Sequence, residues 1–172
     1  YSKILKSETI HLIDLGARWG SVDELKPLEE HIYYMGFDAD QDEIKKLQNY
    51  QNNYKHKKYI HAFIGEKKGF INFFLYKKAA ASSVYKYKKS YIDWFQQDNF
   101  YIDKEVEMNS SSLDEMINID VDIIKLDTQG NEFEILNGGS KALEKTLMVE
   151  CEVEFYEMYD GQKLAHDILK KM

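Results

Sequence analysis

Residues 10–20 read IHLIDLGARWG. Ile10, Leu12, Ile13 and Leu15 form the nearly continuous apolar run expected of a strand buried on both faces, and Gly16 and Gly20 follow at once. Asp14 lies near the carboxyl end of this strand. Ligands bind at that end in open α/β sheets, where glycine allows a tight turn and close approach of the backbone. The segment therefore predicts a site for a nucleotide-type cofactor. Its glycines follow neither the G-x-G-x-x-G spacing nor the Walker pattern, so a loop built around phosphates is not indicated.

A second apolar strand, IYYMGFDAD over residues 32–40, ends in acids about twenty positions after the glycine turn, where βαβ cofactor folds place the acid that accepts hydrogen bonds from ribose hydroxyls. Asp38 is the first acid past the apolar run and is the candidate for that role, with helix capping as the alternative. Asp40 is better placed to open the next helix, given Asp42 near its start and the spacing of Ile44 and Leu47.

The 172 residues, 44% of them apolar, suffice for one domain, 1–172, with a sizeable core. A net charge of −7 argues against a general nucleic-acid binder. Lys55, Lys57 and Lys58 around His56, and Lys86, Lys88 and Lys89 among Tyr85, Tyr87 and Tyr91, read as solvated surface. Cys151 is the single cysteine, which excludes an internal disulfide and a cysteine zinc cluster and points to a reducing compartment, so a cytoplasmic location is expected. Within an apolar strand it reads as core filler. No run of eighteen apolar residues suggests a membrane span.

The pattern predicts strands at 10–15, 32–37, 58–64, 121–126 and 147–155, with a helix over 41–50 and another over 132–136 that Gly138 and Gly139 end. Ser21 and Glu24 suggest a capping box for a short helix that Pro27 ends or kinks. Residues 70–76 read as a further strand in a hairpin with 58–64 across the turn GEKKG, the stretch 77–107 as less regular, and a last helix as opening near Asp160. Strands separated by helices imply an α/β fold, a mainly parallel sheet covered on both faces.

In VDIIKLDTQGNEFEILNGG, residues 121–139, Asp127 leaves its strand on the same sheet edge as Gly16 and Asp38, so Asp14, Asp38 and Asp127 are expected to converge. Glu132 lies in the first turn of the following helix, where the dipole also favours an acid for stability alone. Residues 147–155 alternate Leu147, Val149, Cys151, Val153 and Phe155 with Met148, Glu150, Glu152 and Glu154. Unpaired carboxylates cannot be buried cheaply, so that acidic face must reach solvent or a site. Asp127, Glu132 and Glu152 are the catalytic candidates, Glu152 being preferred to Glu150 as general base. No compact motif announces a metal site. His61, His11 and His166 read as core or edge, as remote from the site, and as surface.

The segments IDLGARWG, GFDAD, SSLDEM, IIKLDTQGNEFEILNGG and MVECEVEF, in this order, resemble the FkbM-type family of methyltransferases. The fourth is the most distinctive, since K-x-D-x-x-G-x-E followed by I-L-x-G is far narrower than a glycine turn. The resemblance implies a Rossmann-like class I methyltransferase fold, S-adenosylmethionine as donor, and methylation of a hydroxyl on a sugar or other small metabolite. It implies Asp14, Gly16, Ala17, Arg18, Gly20, Asp38 and Ala39 as cofactor-binding residues. Arg18 stands where the family usually has asparagine, Asp38 and Ala39 where Glu-Pro is usual, and Gln129 where an acid is common. Two further strands usually follow in this class, so the sheet is expected to lack its last two strands and the carboxyl end to be incomplete. The exposed edge left by strand five would favour homo-oligomers. The aromatic stretch 79–101 is the candidate acceptor region, with Trp94 and Phe95 expected to pack as a helix stripe. The alternatives are a catalytically silent cofactor- or sugar-binding module of the same fold and a nucleotide-dependent oxidoreductase.

Overall fold

The computed structural model describes residues 8–95 and 100–172. Strands β1 (Ile10–Leu15), β2 (Ile32–Asp38), β3 (His56–His61), β7 (Ile123–Leu126) and β8 (Met148–Cys151) form a five-stranded sheet in the order β3-β2-β1-β7-β8. Every pairing in it is parallel. Alternation along β1 explains why both faces are covered. Ile13 and Leu15 meet Phe37, Ile124, Leu126 and the helical residues Ile135, Leu136 and Ile168, whereas Leu12 meets Ile32, Tyr34 and Leu25 on the other face.

Helix α1 (Gln41–Leu47) follows β2, and Asp40 caps it by accepting from the N–H groups of Asp42 and Glu43. Helices α3 (Leu113–Met116), α4 (Glu132–Gly138), α5 (Ser140–Leu143) and α6 (Ala165–Lys171) complete the covering, and Ser112 and Glu115 form a reciprocal capping box at α3. The fold is the expected α/β class. Among the described residues no helix is long and apolar enough to cross a membrane.

Several sequence expectations are corrected. The stretch expected as one strand over 58–64 is two: β3 ends at His61, and β4 (Phe63–Gly65) belongs to a second sheet with β5 (Gly69–Tyr76) and β6 (Ile102–Ser112), in the order β4-β6-β5. Strand β5 (Gly69–Tyr76) does not form a hairpin with β3. It pairs antiparallel with β6 (Ile102–Ser112), whose sequence IDKEVEMNSSS is polar because much of the strand is exposed, which hid it from an apolar-run reading. Residues 23–31 form 3-10 turns with Pro27 inside, and no side chain caps them, so the Ser21–Glu24 capping box is not formed. In a series of 3-10 turns one missing N–H costs a single bond without ending the run.

Strand β8 is shorter than expected and stops at Cys151, leaving Leu147 and Phe155 exposed. Helix α6 begins at Ala165 because Gly161 and Gln162 turn the chain after Tyr159. Helix α2 (Lys89–Phe95) exists, but Trp94 on it is 83% exposed and packs on no sheet. The side chain of Phe95 and residues 96–99 lie outside the described residues.

Candidate active site

The carboxyl ends of β1, β2 and β7 bring Gly16, Asp38 and Asp127 to one edge of the sheet, where they line a cleft of about 820 Å³ including its solvent-open part. The second sheet supplies the facing apolar wall, Phe63 and Ile64 from β4 and Phe73 from β5, and Ala79, Ala80 and Ser82 close one side. An apolar cleft with a few converging polar groups at this edge is the arrangement of a ligand site.

The turn after β1 is built by its sequence. Gly16 has φ +80°, and a Cβ there would overlap the carbonyl oxygen of Asp127. The N–H groups of Gly16 and Ala17 both donate to the Phe37 carbonyl, at 2.9 and 3.0 Å, which ties the turn to β2. Ala17 is fully buried against Ile44 and Leu47 and does not line the cleft. Gly20, φ +69°, packs against Leu47 and Tyr50, so its role is to let the turn close on α1. Arg18 lines the cleft, but its guanidinium donates to Asp40 at 3.1 Å and to Glu43 at 3.2 Å, a clamp between the turn and α1.

Asp38 is 9% exposed and lies at the cleft beside Ala39. One of its oxygens accepts from the Asp40 N–H at 2.8 Å, leaving the other for a ligand. Burial pushes its carboxyl up to about 6, against the pull of that N–H and of Arg18. Asp14 does not join it. Its side chain points to the opposite face of the sheet, 1% exposed, where Tyr34 donates at 2.7 Å and Lys125 at 3.4 Å. Burial raises its carboxyl, with Lys125 and Tyr34 opposing.

The loop after β7 carries a carboxylate cluster. Gln129, φ +58°, donates from one amide nitrogen to Asp127 at 3.0 Å and to Glu152 at 2.9 Å. Its own oxygens are held as well: Ser83 donates to its backbone carbonyl at 2.6 Å, and the buried Tyr159 hydroxyl lies 3.2 Å from its side-chain oxygen. Loss of water, with the hydrogen-bonded Asp127 carboxylate beside it, pushes the Glu152 carboxyl up to about 8. Asp127 lines the cleft, whereas Glu152 stands behind Gln129. Glu132 is turned under the loop. Its carboxylate accepts from the Thr128 N–H and hydroxyl and from the Gly130 N–H, so it shapes the backbone that carries Asp127 and does not line the cleft.

A model of the methyltransferase FkbM domain matches residues 22–172. The chain belongs to the FkbM methyltransferase family. The FkbM match begins just after the glycine turn. The chain is similar in fold to the crystal structure of the methyltransferase FkbM from Methylobacillus flagellatus KT, with a TM-score of 0.56, 14% sequence identity and 84% of this chain covered. It spans about a third of that FkbM protein's length, 33%. No curated protein matches the chain.

Sequence reasoning missed Trp19, Thr128 and Asn131, all of which line the cleft. Thr128 and Asn131 flank Gln129 in the TQGN loop, and their nearness to Asp127 was the available signal. Asn131 donates to the Ile64 carbonyl at 2.8 Å and joins the loop to the second sheet. Among the described residues of the aromatic stretch 79–101, only Ala79, Ala80 and Ser82 line the cleft. Tyr87 and Tyr91 pack with Phe100 in a separate cluster around Tyr159. Cys151, half-buried, has its thiol pushed up to about 12 by burial and by the acids around it, and it does not line the cleft.

Proposed function

We propose that this methyltransferase binds S-adenosylmethionine in the cleft and methylates a hydroxyl oxygen of a sugar or another small metabolite. The observation that carries the reading is Asp38: a buried carboxylate at the end of β2 with one oxygen held by the backbone and the other free, facing an apolar wall. Ribose hydroxyls suit that oxygen, and the wall of Phe37, Phe63 and Phe73 suits a base. Arg18 is the single cation lining the cleft among the described residues, and two acids hold it. A pyrophosphate would find no free positive side chain, which favours an adenosyl donor over a dinucleotide and disfavours the oxidoreductase alternative.

When bound, the sulfonium donor supplies an activated methyl group that passes in line to oxygen as the carbon–sulfur bond breaks. What this chain must do is hold the acceptor in line and take its proton. Asp127 lines the cleft and is the proton acceptor in this reading. Gln129 orients Asp127, and Glu152 stands behind it with a carboxyl held in the protonated form near neutral pH. Proton transfer of this kind contributes about a hundredfold to ten-thousandfold. Glu132 holds the loop.

The test is a panel of sugars and small hydroxylated acceptors with methyl-labelled donor, comparing wild type with Asp127→Asn. Transfer to an acceptor oxygen that falls about a hundredfold or more in the variant supports the assignment. Donor binding without transfer to any acceptor favours the catalytically silent module.

A further inference from the structure

Among the described residues two other than glycine have left-handed backbone, Trp19 at φ +81° and Gln129 at φ +58°, and both line the cleft. Strain of this kind persists only where the surroundings enforce it, and it collects at ligand sites. The hydrogen bonds of Gln129 to Asp127, Glu152, Ser83 and Tyr159 account for its conformation. Trp19 takes the third position of the turn that the Gly20 N–H closes on the Ala17 carbonyl, where φ near +80° is normal but glycine is the usual residue. Its indole is 75% exposed and makes no hydrogen bond or ring contact among the described residues.

The segment that displays this ring is nevertheless pinned on both sides. Arg18 is clamped by Asp40 and Glu43, and Gly20 packs against Leu47 while its N–H donates to the Ala17 carbonyl at 2.9 Å. The backbone that carries a large apolar ring is thus fixed at the cleft, at a steric cost and without burial of the ring. The turn would accept glycine at this position more easily, and the exposed ring gains little burial that would offset the cost.

We propose that the Trp19 indole is the outer wall of the donor site and packs face-on against the adenosyl group, opposite the apolar wall of Phe63 and Phe73. This rests on the reading of the cleft as a donor site. An indole face meeting a planar base is a favourable offset stack.

The chain has two tryptophans, and Trp94 lies on α2 away from the cleft, so the emission of Trp94→Phe reports on Trp19 alone. Titration of that variant with S-adenosylhomocysteine is expected to change the emission saturably, with the midpoint found by calorimetry, while Trp19→Phe shows no change. Trp19→Gly is expected to unfold at the wild-type temperature or above, because glycine accepts φ +81° freely, yet to bind the ligand about tenfold more weakly. Trp19→Phe is expected to recover most of that affinity. Unchanged emission on binding, wild-type affinity in Trp19→Gly, or affinity lost together with stability would overturn the proposal and leave the donor reading standing. Failure of the wild-type protein to bind would overturn both.

Discussion

Gly16 and Asp127 stand so close that a side chain on the first would occupy the position of the second residue's carbonyl oxygen. The contact joins the turn after β1 to the loop after β7, the two backbone segments between which the cleft opens. Gly16→Ala must either push the loop outward or abandon φ +80°. The expected loss is about 3 kcal/mol or more of unfolding free energy, read by urea denaturation. A variant as stable as wild type would show that the loop gives way easily.

Arg18 is expected to act on the turn and not on the ligand. Arg18→Asn removes both ion pairs to Asp40 and Glu43, of which Glu43 is nearly buried and keeps Lys46 as a partner. A loss of about 1–3 kcal/mol is expected in the same denaturation assay. Wild-type stability would place the hold on the turn elsewhere, in the two N–H bonds to Phe37.

In the proposed donor site Asp38 is expected to make ligand binding pH-dependent. Ribose hydroxyls donate to the carboxylate form, and burial lifts this carboxyl to about 6. Affinity for S-adenosylhomocysteine is therefore expected to fall as the pH drops from 7 to 5, and to lose that dependence in Asp38→Asn. The same variant is expected to be more stable than wild type at pH 7. The raised carboxyl favours the folded state fully only below its ordinary value of 3.8, and that contribution is lost as the pH rises through about 6. A pH-independent wild-type affinity contradicts the role given to Asp38.

Gln129→Glu places a third acid between Asp127 and Glu152 and removes the N–H group that bridges them. In the wild-type protein the folded chain keeps the Glu152 proton that the unfolded chain loses near pH 4.5, so stability falls as the pH rises toward about 8 and then levels. The variant is expected to be less stable than wild type, with the difference larger at pH 9 than at pH 5, because protonation relieves the added repulsion. Thermal melts across that range read the sign directly.

Among the described residues strand β8 has one partner strand, β7, and Leu147 and Met148 are exposed. An unprotected edge with apolar side chains invites pairing with a second copy, so concentration-dependent self-association is expected in sedimentation velocity. Met148→Lys is expected to reduce it. A monomer at every concentration removes this expectation.

The parts legible in the sequence were those whose side chains are buried in a regular order. The apolar runs of β1, β2 and β7 mark strands covered on both faces, and the residues just past them, Gly16, Asp38 and Asp127, do line the cleft. What periodicity could not show was orientation. Asp14 is one residue from Leu15, yet its carboxylate lies on the other face with Tyr34 and Lys125, and Glu132 is one turn from Asp127 but faces its own loop. The second sheet escaped because β6 alternates charges along an exposed face, and with it went the Phe63 and Phe73 wall. Trp19 escaped because no pattern in one sequence signals a left-handed tryptophan.

The most direct test of the central claim is calorimetric titration of the folded chain with S-adenosylhomocysteine at pH 7.5, beside Asp38→Ala. The account predicts saturable one-site binding that the variant weakens by about tenfold or more, the weight of hydrogen bonds to a charged partner. No heat of binding from a chain that melts cooperatively, or equal affinity in the variant, would contradict it.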